Sequence, residues 1–161
     1  MKKVGFLSKL KRERKLQLIE ESVEVCEAYL LKSGNCLKSS KILLREEIYE
    51  NAVSEAYYAM YNATLSLFFR CGIKCENHAA AIMLLDELFR LSDLAKVLAD
   101  AKKERIDAQY YVTDKRRSAI DEDSAVCMVT DAEEFVFQIR SYIGKLTGSL
   151  ISKIRDRFEA L

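Results

Sequence analysis

The chain has 161 residues, with 26 Lys and Arg against 25 Asp and Glu and a formal net charge of +1. No global field therefore draws it to nucleic acid or membrane, and any such binding must come from a local patch. Half of the residues are hydrophobic and 32% are charged, the balance of a soluble globular protein, and this length fills one core but not two, which predicts one domain.

Proline is absent and glycine occurs only at Gly5, Gly34, Gly72, Gly144 and Gly148, so the two usual helix interrupters are nearly missing and the chain reads as all-α. The β-leaning run over residues 110–113 is too short to build a sheet. The longest apolar run, residues 65–69, falls far short of the roughly 20 that span a bilayer, which predicts no membrane span. Five cysteines, Cys26, Cys36, Cys71, Cys75 and Cys127, are an odd number. No secretory apolar region opens the chain, so reduced thiols and a cytoplasmic setting are expected.

In chain order, residues 1–15 carry Lys2, Lys3, Lys9, Lys11, Arg12, Arg14 and Lys15 against Glu13 alone. This predicts a basic N-terminal arm, solvated unless it meets phosphate or an acidic partner, followed by one helical domain over 16–161. Ile19, Val23, Cys26, Leu30, Leu37 and Leu44 keep a spacing of three, four or seven, which predicts a first helix over 16–45. It either runs through Gly34, at a cost of about 1 kcal/mol relative to alanine, or breaks at 33–35.

A second helix is predicted over 48–70. Ala52, Ala56, Ala59 and Ala63 form one small row on it, which lets a neighbouring backbone approach and marks a central helix. Tyr57 with Tyr61, and Tyr58 with Asn62, form two further rows. Buried tyrosines need a partner for the hydroxyl, so these imply polar contacts inside the bundle or a wet interface. Gly72 closes this helix and Asn77 caps the next, which carries Ile82, Leu85, Leu88 and Phe89. A Ser92-Asp93 pair restarts a fourth segment towards Tyr111, and the charged stretch 113–121 reads as a loop. Asp121 then caps a long last helix through Val129, Ala132, Val136, Ile139, Ile143, Leu146, Leu150 and Ile154. Unbroken to Leu161 it would be about 60 Å long, so its apolar end is expected to project as a partner surface or to bend near 144–148. The architecture expected is all-α, four to five helices with a long C-terminal helix.

Cys71 and Cys75 lie four residues apart with His78 three further on, but no fourth ligand completes a metal pattern, and no metal is assigned. His78 is the lone histidine, placed at a helix start where the positive end disfavours an imidazolium, so it is read first as a structural hydrogen bonder. No phosphate-binding glycine loop, nucleophile elbow or paired-aspartate motif of a nucleotidyltransferase is present. Lys102, Lys103, Arg105, Tyr110 and Tyr111, followed by Lys115, Arg116 and Arg117, interleave cations with aromatics. Single-stranded RNA or a nucleotide would use such a cluster by phosphate pairing and base stacking, while the alternative is a solvated helix face whose tyrosines pack inward.

The block Ser54-Glu-Ala-Tyr-Tyr-Ala-Met-Tyr-Asn-Ala63, the Gly72-Ile-x4-His78 turn and Arg105-x-Asp-Ala-x-Tyr110 together resemble the HEPN family, the higher eukaryotes and prokaryotes nucleotide-binding domain, over roughly residues 38–146. The resemblance implies an up-and-down helical bundle that commonly forms a homodimer and often pairs with a minimal nucleotidyltransferase encoded beside it. Many members are metal-independent ribonucleases, with an Arg followed four to six residues later by His and two copies meeting at a dimer interface. Here Tyr110 stands where that histidine would. Tyrosine titrates near 10 and is a poor general base at neutral pH, though it donates hydrogen bonds. His78 lies at the start of a different helix. Five residues along a helix turn the side chain by about 500°, so Arg105 and Tyr110 converge only at a helix end or across a second subunit.

The resemblance thus implies a nucleotide- or RNA-binding protein with a degenerate nuclease motif, partner of a minimal nucleotidyltransferase in a toxin–antitoxin-like pair. Arg105 and Tyr110 are its candidate catalytic residues. Arg105, Asp107, Tyr110, Tyr111, His78 and Tyr58 are its candidate nucleotide or RNA contacts, without cofactor. The alternatives are a metal-independent endoribonuclease acting at a dimer interface, and a non-catalytic helical adaptor.

Overall fold

A computed structural model of the chain describes residues 2–110 and 120–161. In order these form α1 (Lys2–Arg12), β1 (Leu16–Leu18), α2 (Val23–Arg45), α3 (Tyr49–Arg70), β2 (Ile73–Cys75), α4 (His78–Glu87), α5 (Ser92–Tyr110), α6 (Glu122–Gly144) and α7 (Gly148–Glu159). The fold is an all-α bundle with one small two-stranded sheet. None of the described helices is long and apolar enough to cross a membrane.

Helix α3 is the axis of the bundle, packed against α2, α5 and α6. Its alanine row, Ala52, Ala56, Ala59 and Ala63, is fully buried. The small side chains bring α2 close enough for Ser33 Oγ to donate to the Ala59 carbonyl at 2.7 Å. Gly34 lies inside an unbroken α2. Around this seam Met60, Leu67 and Phe68 of α3 are buried with Leu84 and Leu85 of α4, Leu98 of α5 and Phe135 and Ile139 of α6, each worth about 1.5–3 kcal/mol when fully removed from water.

Two predicted caps are made. Asn77 Oδ1 accepts from Ala80 N at 3.0 Å to start α4, and Asp121 Oδ1 accepts from Ser124 N at 2.9 Å to start α6. Residues 111–119, with most of the expected loop, lie outside the described residues.

Two expectations are corrected, and a third is decided between its two alternatives. The helix predicted from residue 16 begins at Val23, because Ser22 Oγ caps it by accepting from Val25 N. Residues 16–18 instead pair antiparallel with 73–75, Leu16 opposite Cys75 and Leu18 opposite Ile73. The basic arm is helix α1, which buries Leu7 and Leu10 while Lys9 stays exposed. Of the two courses expected for the apolar C-terminal end, it bends within 144–148 rather than projecting: the chain turns at Lys145 and restarts with Thr147 Oγ1 accepting from Leu150 N. Helix α7 then folds back, burying Ile151, Ile154 and Phe158 and receiving Lys11 Nζ on the Phe158 carbonyl at 2.6 Å.

This return positions the α3–β2–α4 corner. Gly72 has φ +67, the left-handed region that only glycine enters without cost. Arg155 of α7 donates through Nη1 to the carbonyls of Ile19 and Cys71 at 3.0 Å and of Gly72 at 3.2 Å. One guanidinium from the end of the chain therefore ties together the segments entering α2 and leaving α3, and with them the start of α4.

Candidate functional site

Tyr57 and Tyr61 are one turn apart on α3, so their rings share a face and lie parallel with centroids 6.2 Å apart. The corner at Gly72 delivers His78, first residue of α4, onto that face. Its ring stacks on Tyr61 at a centroid distance of 3.9 Å and lies 5.8 Å from that of Tyr57. The Tyr57 hydroxyl hydrogen-bonds His78 Nδ1. Tyr57 has no exposed surface, and burial pushes its phenol pKa well above the ordinary value, so the hydroxyl keeps its proton. Burial, reinforced by the positive charges of Lys102 and Arg105, pushes His78 below its usual value of 6.5.

Arg105 comes from α5. Its guanidinium carbon lies 5.7 Å from the Tyr57 ring centroid and 5.2 Å from that of Tyr58, two rings set edge to face with centroids 5.4 Å apart. Cation–π contacts of this kind contribute about 0.5–2 kcal/mol and hold the side chain in place. Its Nε is buried and has no hydrogen-bond partner among the described residues, an arrangement that costs about 1–3 kcal/mol unless a ligand accepts from it.

Two clefts meet at Arg105. One, about 280 Å³, is lined by Glu76, Asn77, His78, Ala79 and Lys102 as well as Arg105. The other, about 370 Å³, is lined by Glu50, Asn51, Ser54, Tyr58, Ala108 and Gln109. The first offers cations and the N-terminus of α4, which suit an anion. The second offers amides, a hydroxyl and an aromatic face, which suit a sugar or a base.

Of the residues singled out in the sequence, Tyr58, His78 and Arg105 come together. Asp107 is half-buried on α5, two residues and about 200° around the helix from Arg105; the Glu104 carboxyl is raised mainly by burial, with smaller contributions from Asp131, Asp100 and Asp107. The backbone of Tyr110 ends α5, while its side chain and Tyr111 lie outside the described residues. That His78 begins a different helix does not separate it from Arg105, because both line the same cleft. Sequence reasoning passed over Tyr57 and Tyr61 as site residues; their signal was the pair of hydroxyls four residues apart on a buried face. It also gave Lys102 no individual role. Burial raises the Cys71 thiol to about 12 and the Cys75 thiol to about 11. Cys75 Sγ donates to the Asn77 carbonyl at 3.4 Å.

A family model described as the HEPN domain matches residues 26–141. The chain belongs to the HEPN family. The HEPN match takes in nearly all of α2, the whole of α3 to α5 and nearly all of α6, and so every residue lining the two clefts; α1, β1 and α7 fall outside it. HEPN membership points to nucleotide- or RNA-binding or nuclease-like chemistry. No curated protein matches the chain.

Proposed function

We propose that this HEPN protein binds single-stranded RNA or a nucleotide at the Arg105 clefts and does not cleave it, the nuclease motif being degenerate at Tyr110. The observation that carries the reading is the buried Nε of Arg105, unpartnered among the described residues, on a guanidinium clamped between Tyr57 and Tyr58 where the two clefts meet. A phosphate oxygen would satisfy that donor, and charge-assisted hydrogen bonds of this kind are worth about 1.5–3 kcal/mol. The pairing with a minimal nucleotidyltransferase in a toxin–antitoxin-like system and the homodimer rest on the family resemblance alone, and the cytoplasmic setting on the reading of the cysteines.

The test is to incubate the protein with end-labelled single-stranded RNA without added metal, beside Arg105→Ala, and to score both retention and cleavage. Retention without cleavage, lost in the variant, is expected. Cleavage that disappears with Arg105 would make the protein a ribonuclease, and absence of both would favour a helical adaptor.

A further inference from the structure

The Tyr57 hydroxyl and His78 Nδ1 are hydrogen-bonded to each other; a fully buried phenol needs an acceptor for its O–H, and this assigns the acceptor role to Nδ1. Nδ1 accepts only when it carries no proton. A neutral imidazole then holds its single ring proton on the other nitrogen, so His78 presents Nε2–H. With Nδ1 turned to Tyr57 and the ring face laid on Tyr61, Nε2 is the remaining polar atom of a side chain that lines the smaller cleft.

The surroundings of that cleft are those of an anion site. Lys102 and Arg105, one turn apart on α5, line it from one side. The first turn of α4 lines it from the other. Asn77 Oδ1 takes the Ala80 N–H, while the N–H groups of His78 and Ala79 have no partner within the helix. The carboxylate in the lining, Glu76, pairs with Lys74 at 2.6 Å.

We propose that this cleft is a phosphate subsite in which His78 binds as a neutral Nε2–H donor beside Lys102 and Arg105, with Tyr57 as the positioning residue that fixes the tautomer. The proposal rests on the binding reading above and adds a second element, α4, to the α5 residues of the family motif. Burial and the two flanking cations favour the same neutral ring. A nitrogen that already carries its proton does not take one from a 2′-hydroxyl, so the cleft holds phosphate without activating a nucleophile. The phosphate is either an internal phosphodiester of a strand or a terminal monoester.

His78 is the single histidine of the chain, so long-range ¹H–¹⁵N spectra of the whole protein report on it without assignment. The expected pattern near neutral pH is the Nε2–H tautomer, becoming mixed in Tyr57→Phe, with the Nε2 signal moving on addition of a phosphate probe. Three probes separate the sources: inorganic phosphate, adenosine monophosphate, and single-stranded RNA with hydroxyl ends, which carries diesters only. In binding titrations His78→Phe, which keeps a flat ring on Tyr61, is expected to weaken binding about 10-fold, whereas His78→Gln, which restores an N–H donor, stays within about 3-fold. Thermal melts establish that both variants fold. An Nδ1–H tautomer, an imidazolium at neutral pH, or an Nε2 signal unmoved by all three probes overturns the proposal. Wild-type affinity in His78→Phe while Arg105→Ala loses binding overturns the His78 role and leaves the binding function standing; wild-type affinity in Arg105→Ala overturns the binding function itself.

Discussion

His78 and Tyr61, seventeen positions apart in the sequence and on different helices, stack with ring centroids 3.9 Å apart and planes 8° from parallel. The contact places a titratable ring in an aromatic corner where charge is disfavoured. Its pH dependence follows. Folding lowers the His78 pKa below 6.5, so the unfolded chain binds more protons, and stability falls as pH drops through 6.5 towards the folded value. The rings it faces do not offset this, because burial raises the phenols of Tyr57 and Tyr61 and both stay neutral across that range. In melts from about pH 7.5 to about pH 5, the wild type is expected to lose stability relative to His78→Gln, which has nothing to titrate at this position; parallel curves would contradict the neutral ring.

Gly72→Ala tests the corner that delivers His78. A Cβ there would fall against the Arg155 guanidinium and within 2.5 Å of the Ile19 carbonyl oxygen, on a backbone at φ +67. Urea unfolding is expected to show a loss of at least about 2 kcal/mol. A change below about 0.5 kcal/mol, the range of an ordinary surface substitution, would mean that the corner is not rigid.

Gly34→Ala has the opposite sign. The position is inside α2, and an added Cβ would meet only an Arg140 nitrogen at 3.6 Å, an ordinary contact. A gain of about 0.5–1 kcal/mol in the same assay is expected from helix propensity and the lower entropy of the unfolded chain.

Tyr58→Leu keeps an apolar side chain but removes the ring that lies 5.2 Å from the Arg105 guanidinium carbon. Loss of a cation–π contact of about 0.5–2 kcal/mol is expected to weaken single-stranded RNA binding by about 3- to 10-fold, with melting unchanged within a few degrees. An unaltered titration would show that Arg105 needs no aromatic support.

Much of the bundle was legible because it rests on local chemistry. The alanine row of α3, the closing glycine at Gly72 and the caps at Asn77 and Asp121 each follow from a few adjacent residues. The short strands were not, since three residues give too little alternation to compete with the helical stripe continuing through Ile19. The count of lysines in α1 hid the spacing of Leu7 and Leu10. The apolar rhythm from Ile143 to Leu150 ran across the turn at residues 145–147, where the cap by Thr147 outweighs it. For the site, Arg105 stood out through its family resemblance and its charged neighbourhood. The Tyr57–His78 bond joins residues 21 positions apart and depends on the turn at Gly72 and on Arg155 from α7, a tertiary relation that no local pattern encodes.

The central claim is that Arg105 is the anchor of a nucleic-acid phosphate. Fluorescence anisotropy of a labelled single-stranded RNA, titrated with wild type and Arg105→Ala in metal-free buffer, tests it most directly. The account predicts saturable binding by the wild type with the RNA intact, and an affinity at least about 10-fold weaker in a variant that melts normally. Equal affinity of the two proteins would contradict it.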